Sequence, residues 1–197
     1  DKTSASAKQE LPEVQLLAGI SLFEEDFEDA TFPPADWTVI DNEGFGVEWL
    51  FAADYGEGNY AGTGEAATVS SDAAGFVDYD TELITPFIST DGFKNVAVQY
   101  NANYNNYSTD ILDVDIQLAG DSSWTNVLRW EEDHGSLFAG PGEQVILELD
   151  DFLGAATSFR LRWHYYNPGS DDWDWYAQID DIVVLGDPKA WLSINPS

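Results

Sequence analysis

Alternation is the feature that most constrains this chain. In segment 160–166, Leu161, Trp163 and Tyr165 fall on one side, and Arg160, Arg162 and His164 fall on the other. Segment 110–118 repeats the pattern, with Leu112, Val114, Ile116 and Leu118 set against Ile111, Asp113, Asp115 and Gln117. A β-strand sends successive side chains to opposite faces, so a period of two predicts strands with one face in a core. Further strands are predicted over 37–41, 47–52, 66–70, 82–88, 95–101, 126–130, 144–149 and 177–185. Clusters of Gly, Pro, Asn and Asp separate them. No segment carries a helical period with caps, and 149–156 makes one turn at most. Short strands throughout a chain of 197 residues predict an all-β fold, a two-sheet antiparallel β-sandwich with jelly-roll topology.

The division of the chain follows from composition. Residues 1–20 read as a polar leader or linker, or as an added strand; 21–186 as the sandwich; 187–197 as a linker or the start of a following domain. The chain opens on Asp1 rather than Met, which suggests a trimmed product. The apolar run 16–23 is far shorter than the roughly 18–20 residues of a membrane span, so membrane insertion is not expected.

Charge narrows the partners. Seven Lys and Arg stand against 37 Asp and Glu, a formal net charge of -30. Such a surface repels phosphate backbones, so nucleic acid is not an expected partner, whereas cations are. Aromatic residues make up 14% of the chain, which separates it from disordered acidic tails. Cysteine is absent, which excludes disulfides, thiolate metal sites and thiol nucleophiles.

A set of short landmarks occurs in order. Glu25-Asp26-Phe27-Glu28 is followed by Pro33-Pro34-Ala35-Asp36-Trp37, then by Ile40-Asp41-Asn42-Glu43-Gly44 and Trp49. Leu83-Ile84-Thr85-Pro86 comes midway; Phe159-Arg160-Leu161-Arg162, Tyr165-Tyr166 and Gln178-Ile179-Asp180-Asp181-Ile182 come near the end. The ordered set resembles the cleaved-adhesin and choice-of-anchor J domains of secreted bacterial proteins, more distantly MAM domains, over roughly residues 21–186. The resemblance implies a jelly roll with calcium in its loops and a recognition or adhesion role without catalysis. One position departs from the family's acidic loop, where Phe45 follows Gly44.

By that resemblance, Glu25 or Glu28, Asp41 and Asp181 are placed around a calcium ion. Jelly rolls bring first and last strands side by side, and clustered carboxylates repel one another unless a cation joins them. The clusters Asp171, Asp172 and Asp174, and Asp78, Asp80 and Glu82, match no EF-hand spacing and read as solvated loops. Tyr104, Tyr107, Trp173 and Trp175 are candidate ligand contacts, because aromatic faces beside amides and carboxylates suit sugar rings. Trp37, Trp49 and Trp163 read as core. His134 and His164 fit no metal-ligand spacing, no GxSxG elbow occurs, and no compact carboxylate pair stands out.

Three functions are therefore expected. The first is a non-catalytic, calcium-stabilised recognition or adhesion module of a secreted or cell-surface protein, taking an extracellular glycan or protein. The second is a carbohydrate-binding module of a secreted hydrolase. The third is a fibre subunit, a homo-polymer assembled through the N-terminal segment 13–23 by strand addition.

Overall fold

The computed structural model describes residues 19–169 and 173–189. Two six-stranded antiparallel sheets face one another. The first contains β1 (Ile20–Glu25), β3 (Leu50–Phe51), β4 (Ala67–Ser70), β7 (Phe93–Asn105), β10 (Glu143–Glu148) and β12 (Tyr176–Pro188). Its order is β10-β7-β12-β4-β3, with β1 also on β12. The second contains β2 (Thr38–Asp41), β5 (Asp80–Ile84), β6 (Ile88–Ser89), β8 (Ile111–Leu118), β9 (Thr125–Trp130) and β11 (Ser158–Tyr166). Its order is β2-β5-β11-β8-β9, with β6 also on β11. This is the predicted jelly-roll sandwich, with the first strand returning beside the last.

The inner row of β11 explains why the sheets stay together. Phe159, Leu161, Trp163 and Tyr165 are all fully buried, as alternation requires. Trp163 stacks on Trp37 at 6.3 Å and meets Tyr100 of β7 edge-on at 5.4 Å, so one indole joins both sheets. Tyr165 stacks on Tyr79 at 4.7 Å. Each such ring removes enough apolar surface from water to contribute about 1.5–3 kcal/mol, plus about 0.5–1.5 kcal/mol for a well-placed aromatic pair.

Several elements depart from the expected strands. Only Leu50–Phe51 of segment 47–52 pairs, because Ala52–Tyr55 closes a 3₁₀ turn; Val47 and Trp49 are still buried. Segment 82–88 splits, with β5 ending at Ile84 two residues before Pro86, which has no N–H for a ladder. β7 runs on to Asn105, through a stretch whose asparagines read as loop. Asn103 and Asn105 are buried there, and Asn103 Nδ2 donates to the carbonyls of Ser136 and Ala139 at 3.1 Å each. Two single-turn helices, α1 (Ser71–Ala74) and α2 (Asp150–Leu153), complete the described elements.

Part of the N-terminal segment is paired within the chain. Residues Ile20–Glu25 pair with Ile182–Gly186 of the same chain, so this part of the proposed adding strand is already spent. Residues 13–18, the rest of that segment, lie outside the described residues.

Candidate functional site

The junction of the terminal strands forms where two strands share one edge of β12. Ile179 is the last β12 residue paired with β4, and Ile182 is the first paired with β1. Asp180 and Asp181 lie in the gap between them. On the opposite edge the β7 ladder steps from Asp180↔Asn101 to Val183↔Gln99, two residues against one, which is a β-bulge. Asp181 takes a positive φ of 52° there, a conformation Asp tolerates better than most residues.

The bulge sends the two carboxylates to different surroundings. Asp180 is fully buried; its Oδ1 accepts from the Asp181 N–H at 2.7 Å, and its Oδ2 accepts from Asn59 Nδ2 at 2.8 Å. Burial outweighs those bonds and, with the charge of Asp181 adding to it, pushes the Asp180 carboxyl up to about 6. Gly62 packs so closely that a Cβ there would lie 2.2 Å from Asp180 Oδ2. Sequence reasoning missed Asp180. Its signal was the tandem acid pair in a strand, since alternation must turn one of the two inward.

Asp181 faces outward, accepts from Asn101 Nδ2 at 2.9 Å, and lines an open cavity of about 380 Å³ with Glu24, Glu25, Asp26 and Asp29. Glu25 Oε1 accepts from the Phe27 N–H at 2.8 Å, and burial raises its pKa despite that bond. Of the four candidate metal ligands, then, Glu25 and Asp181 share a cavity. Glu28 lies beside the neighbouring loop, where its Oε1 accepts from the Glu65 N–H at 3.0 Å. Asp41 belongs elsewhere. It ends β2 in the second sheet, and its carboxylate accepts from the N–H groups of Gly44 at 2.8 Å and Gly46 at 2.7 Å. Asp41 thus closes its own turn, the ordinary work of an Asp before glycines.

The donor set around the cavity is all oxygen and uncompensated by any described Lys or Arg, which suits a hard divalent cation. Tighter groupings, with three ligand atoms within 4.8 Å of one another, are Asp80, Glu82 and His164, and Asp113, Asp115 and His164. Both are threaded by arginine: Arg162 bridges Glu82 at 3.0 Å and Asp115 at 2.8 Å, and Arg129 meets Asp113 at 2.7 Å. Those guanidiniums already supply the positive charge. Asp80 and Glu82, expected in a solvated loop, are strand residues of this network.

The candidate ligand-contact residues divide sharply. Tyr104 is fully buried, stacks on Trp130 at 6.2 Å, and donates its OH to the Asp110 carbonyl at 2.7 Å. It is a core residue, because β7 extends through its position. Tyr107 lies beyond the strand end and is 65% exposed; Trp173 is 51% exposed. With Trp175 and Phe76 they line a second cavity of about 350 Å³. Trp175 is held edge-on by Tyr107 at 5.5 Å and by Phe138 at 5.7 Å.

A buried carboxylate pair underlies this aromatic surface. Asp174, flanked in sequence by the two tryptophans, accepts from Tyr79 OH at 2.8 Å, Ser108 Oγ at 2.7 Å and Asn167 Nδ2 at 2.6 Å. Asp110 Oδ1 accepts from the Tyr107 N–H at 3.1 Å. Burial, and next the charge of Asp174, push the Asp110 carboxyl up to about 6. Asp174 is therefore an anchor, not the solvated acid its surroundings suggested; Asp171 and Asp172 lie outside the described residues.

These features can be set beside known proteins. The model of the Cleaved Adhesin Domain family matches residues 20–143, more than half of the chain. The chain belongs to the cleaved adhesin domain family. No curated protein sequence matches it significantly. Among solved structures, this cleaved adhesin domain is similar to the K1 cleaved adhesin domain of Lys-gingipain from Porphyromonas gingivalis W83. The identity is 20% and the TM-score 0.56, with 82% of this chain and 96% of that one covered. The K2 domain of Lys-gingipain gives 22% identity and a TM-score of 0.57 over the same shares. The K3 domain, from the same organism as K1, gives 19% and 0.56 over 85% of this chain and 98% of that one. At these identities the likeness supports the fold.

Proposed function

We propose that this cleaved adhesin domain is a non-catalytic recognition module of a secreted bacterial protein, which binds extracellular glycan on its aromatic surface. A calcium ion at the terminal-strand junction braces it. The observation that carries the reading is the cavity lined by Phe76, Tyr107, Trp173 and Trp175, in which the first three rings are more than half exposed and Trp175 is half-buried, above a hydrogen-bonded carboxylate base. Exposed rings in one patch cost solvation and are kept for contact. Their faces take the C–H side of a sugar, and the preset orientation of Trp175 lowers the ordering cost of binding.

Calcium would be held by Glu25, Asp26 and Asp181, with Asp29 at the rim of the same cavity. The ion would neutralise charge between the end of β1, which carries Glu25 and Asp26, and the bulge of β12, which carries Asp181. Asn101 orients Asp181 for that role through the 2.9 Å bond.

The glycan reading is tested by binding to a panel of neutral and acidic oligosaccharides. Trp173→Ala and Tyr107→Ala are expected to weaken the bound glycan by about tenfold, with thermal midpoints unchanged. A panel without any ligand, or variants that bind as the parent does, would overturn it and leave a protein ligand for the same surface.

A further inference from the structure

The solvent face of the second sheet carries all three arginines of a chain that holds only seven basic residues. Two are neutralised on site. Arg129 donates through Nε and Nη2 to Asp113 at 2.8 and 2.7 Å, and Arg162 bridges Glu82 and Asp115. The third differs. Along β8 the facing row reads Asp113, Asp115, Gln117, so the residue opposite Arg160 is an amide where its predecessors are carboxylates. Arg160 Nε donates to Gln117 Oε1 at 2.7 Å. Among the described residues no carboxylate lies within ion-pair distance of its guanidinium.

Such a guanidinium is anomalous in a protein with a net charge of -30, where acids outnumber bases 37 to seven. Its position is also fixed. Phe87 lies 5.0 Å from the guanidinium carbon and Trp124 lies 5.2 Å from it, one on each side of β11, and Arg162 packs on the same indole at 4.7 Å. The Phe87 ring is 50% exposed. With Nε held by Gln117, the terminal nitrogens form a fork with aromatic walls, the arrangement that binds a planar carboxylate bidentately.

We propose that Arg160 is a carboxylate-binding site whose ligand is a uronic acid residue of an acidic polysaccharide. The carboxylate pairs with the guanidinium fork, and the ring carbons next to it lie against Phe87 and Trp124. A sugar acid fits better than a bare anion because those walls offer contact to C–H groups beside the charge. The general negative field opposes any anion at a distance, so recognition depends on close contact at about 0.15 M salt, where charges beyond roughly 8 Å are screened. This site is separate from the aromatic cavity and from the calcium position, and stands or falls without them.

The test is calorimetric titration at that salt with three ligands: trigalacturonate, the same trisaccharide with its carboxyl groups reduced, and a neutral tripeptide with a free C-terminus. Parent protein is compared with Arg160→Met, which keeps the aliphatic stem, and with Lys94→Met, which removes an equal charge from the first sheet. The expected result is binding of trigalacturonate that falls about tenfold or more on carboxyl reduction and equally in Arg160→Met, as loss of a charged bidentate pair requires. Lys94→Met should bind as the parent does, and circular dichroism should show Arg160→Met folded. Equal affinity for the reduced trisaccharide, undiminished binding by Arg160→Met, no binding of trigalacturonate, or preference for the tripeptide would each overturn the proposal.

Discussion

Asn101 donates its side-chain amide to Asp181 at 2.9 Å, one step along from where Asn101 itself pairs with Asp180 in the ladder. The bond spans the bulge, and it fixes the outward carboxylate of β12 while Asp180 is buried beside it. Position 181 therefore needs two things, a backbone with positive φ and an oxygen facing the cavity. Asp181→Asn keeps the backbone and relieves repulsion from Glu25 and Asp26. In chelator it should unfold within about 0.5 kcal/mol of the parent or slightly above it. Asp181→Val should cost about 1–2 kcal/mol more than Asp181→Asn, the penalty of a branched residue in the left-handed region. Urea unfolding midpoints in chelator decide both.

Gly142 marks where the loop before β10 passes over β7. A Cβ there would sit 2.2 Å from the Ala102 carbonyl oxygen and 3.0 Å from the Ala61 Cα, both backbone atoms. Neither can swing away as a side chain would. Gly142→Ala should destabilise the domain by about 2 kcal/mol or more, whereas Gly44→Ala, with open space around it, should cost about 1 kcal/mol from its positive φ alone. The comparison is read by denaturant titration.

The two tyrosines of segment 100–107 that read alike have opposite roles. Tyr104→Ala removes a buried ring from between Trp130 and Tyr165 and should cost about 3–5 kcal/mol. Tyr107→Ala touches an exposed ring and should cost no more than about 0.5 kcal/mol while weakening ligand. Similar stability losses at the two positions would contradict the placement of the β7 end.

The Asp110 carboxyl gives a pH signature. Its pKa is raised in the folded state, so folded protein holds more protons than unfolded protein between the unfolded value near 4 and about 6. The stabilisation is complete below that window and is lost as pH rises through it, and it belongs to the Asp110–Asp174 pair rather than to one carboxyl. Asp110→Asn should remove most of the dependence attributable to it, with unfolding midpoints measured from pH 4.5 to 7.

Much of the fold was legible because β11 and β8 carry apolar side chains on one face and mostly charged or amide side chains on the other, and alternation survives wherever only one face joins the apolar core. It was illegible where that condition fails. The asparagines at 103 and 105 look like turn residues, yet from inside a strand Asn103 satisfies two loop carbonyls and Asn105 donates to the Asn103 side-chain oxygen. Val47 and Trp49 supply core without a ladder, so their pattern mimics a strand that is not there. Glu25 and Asp181 were legible as neighbours from the pairing of terminal strands. The exclusion of Asp41 was not, since one-dimensional order cannot tell a carboxylate closing its own turn from one facing an ion. The polar ladder of the second sheet was visible as alternating Arg160, Arg162 and His164, but its partners on β5 and β8 come from distant sequence.

Thermal unfolding of chelator-stripped protein, with and without millimolar calcium, tests the calcium-braced junction most directly. A cation bound only by the folded state adds about 2.7 kcal/mol at a hundredfold excess over Kd, or roughly 5–10 °C for a chain of this size. The expected result is a rise of that order with calcium, a much smaller one with magnesium, and loss of the calcium effect in Asp181→Asn but not in Asp41→Asn. Equal midpoints with and without calcium, or an Asp181→Asn variant that responds as the parent does, would contradict a structural ion between β1 and β12.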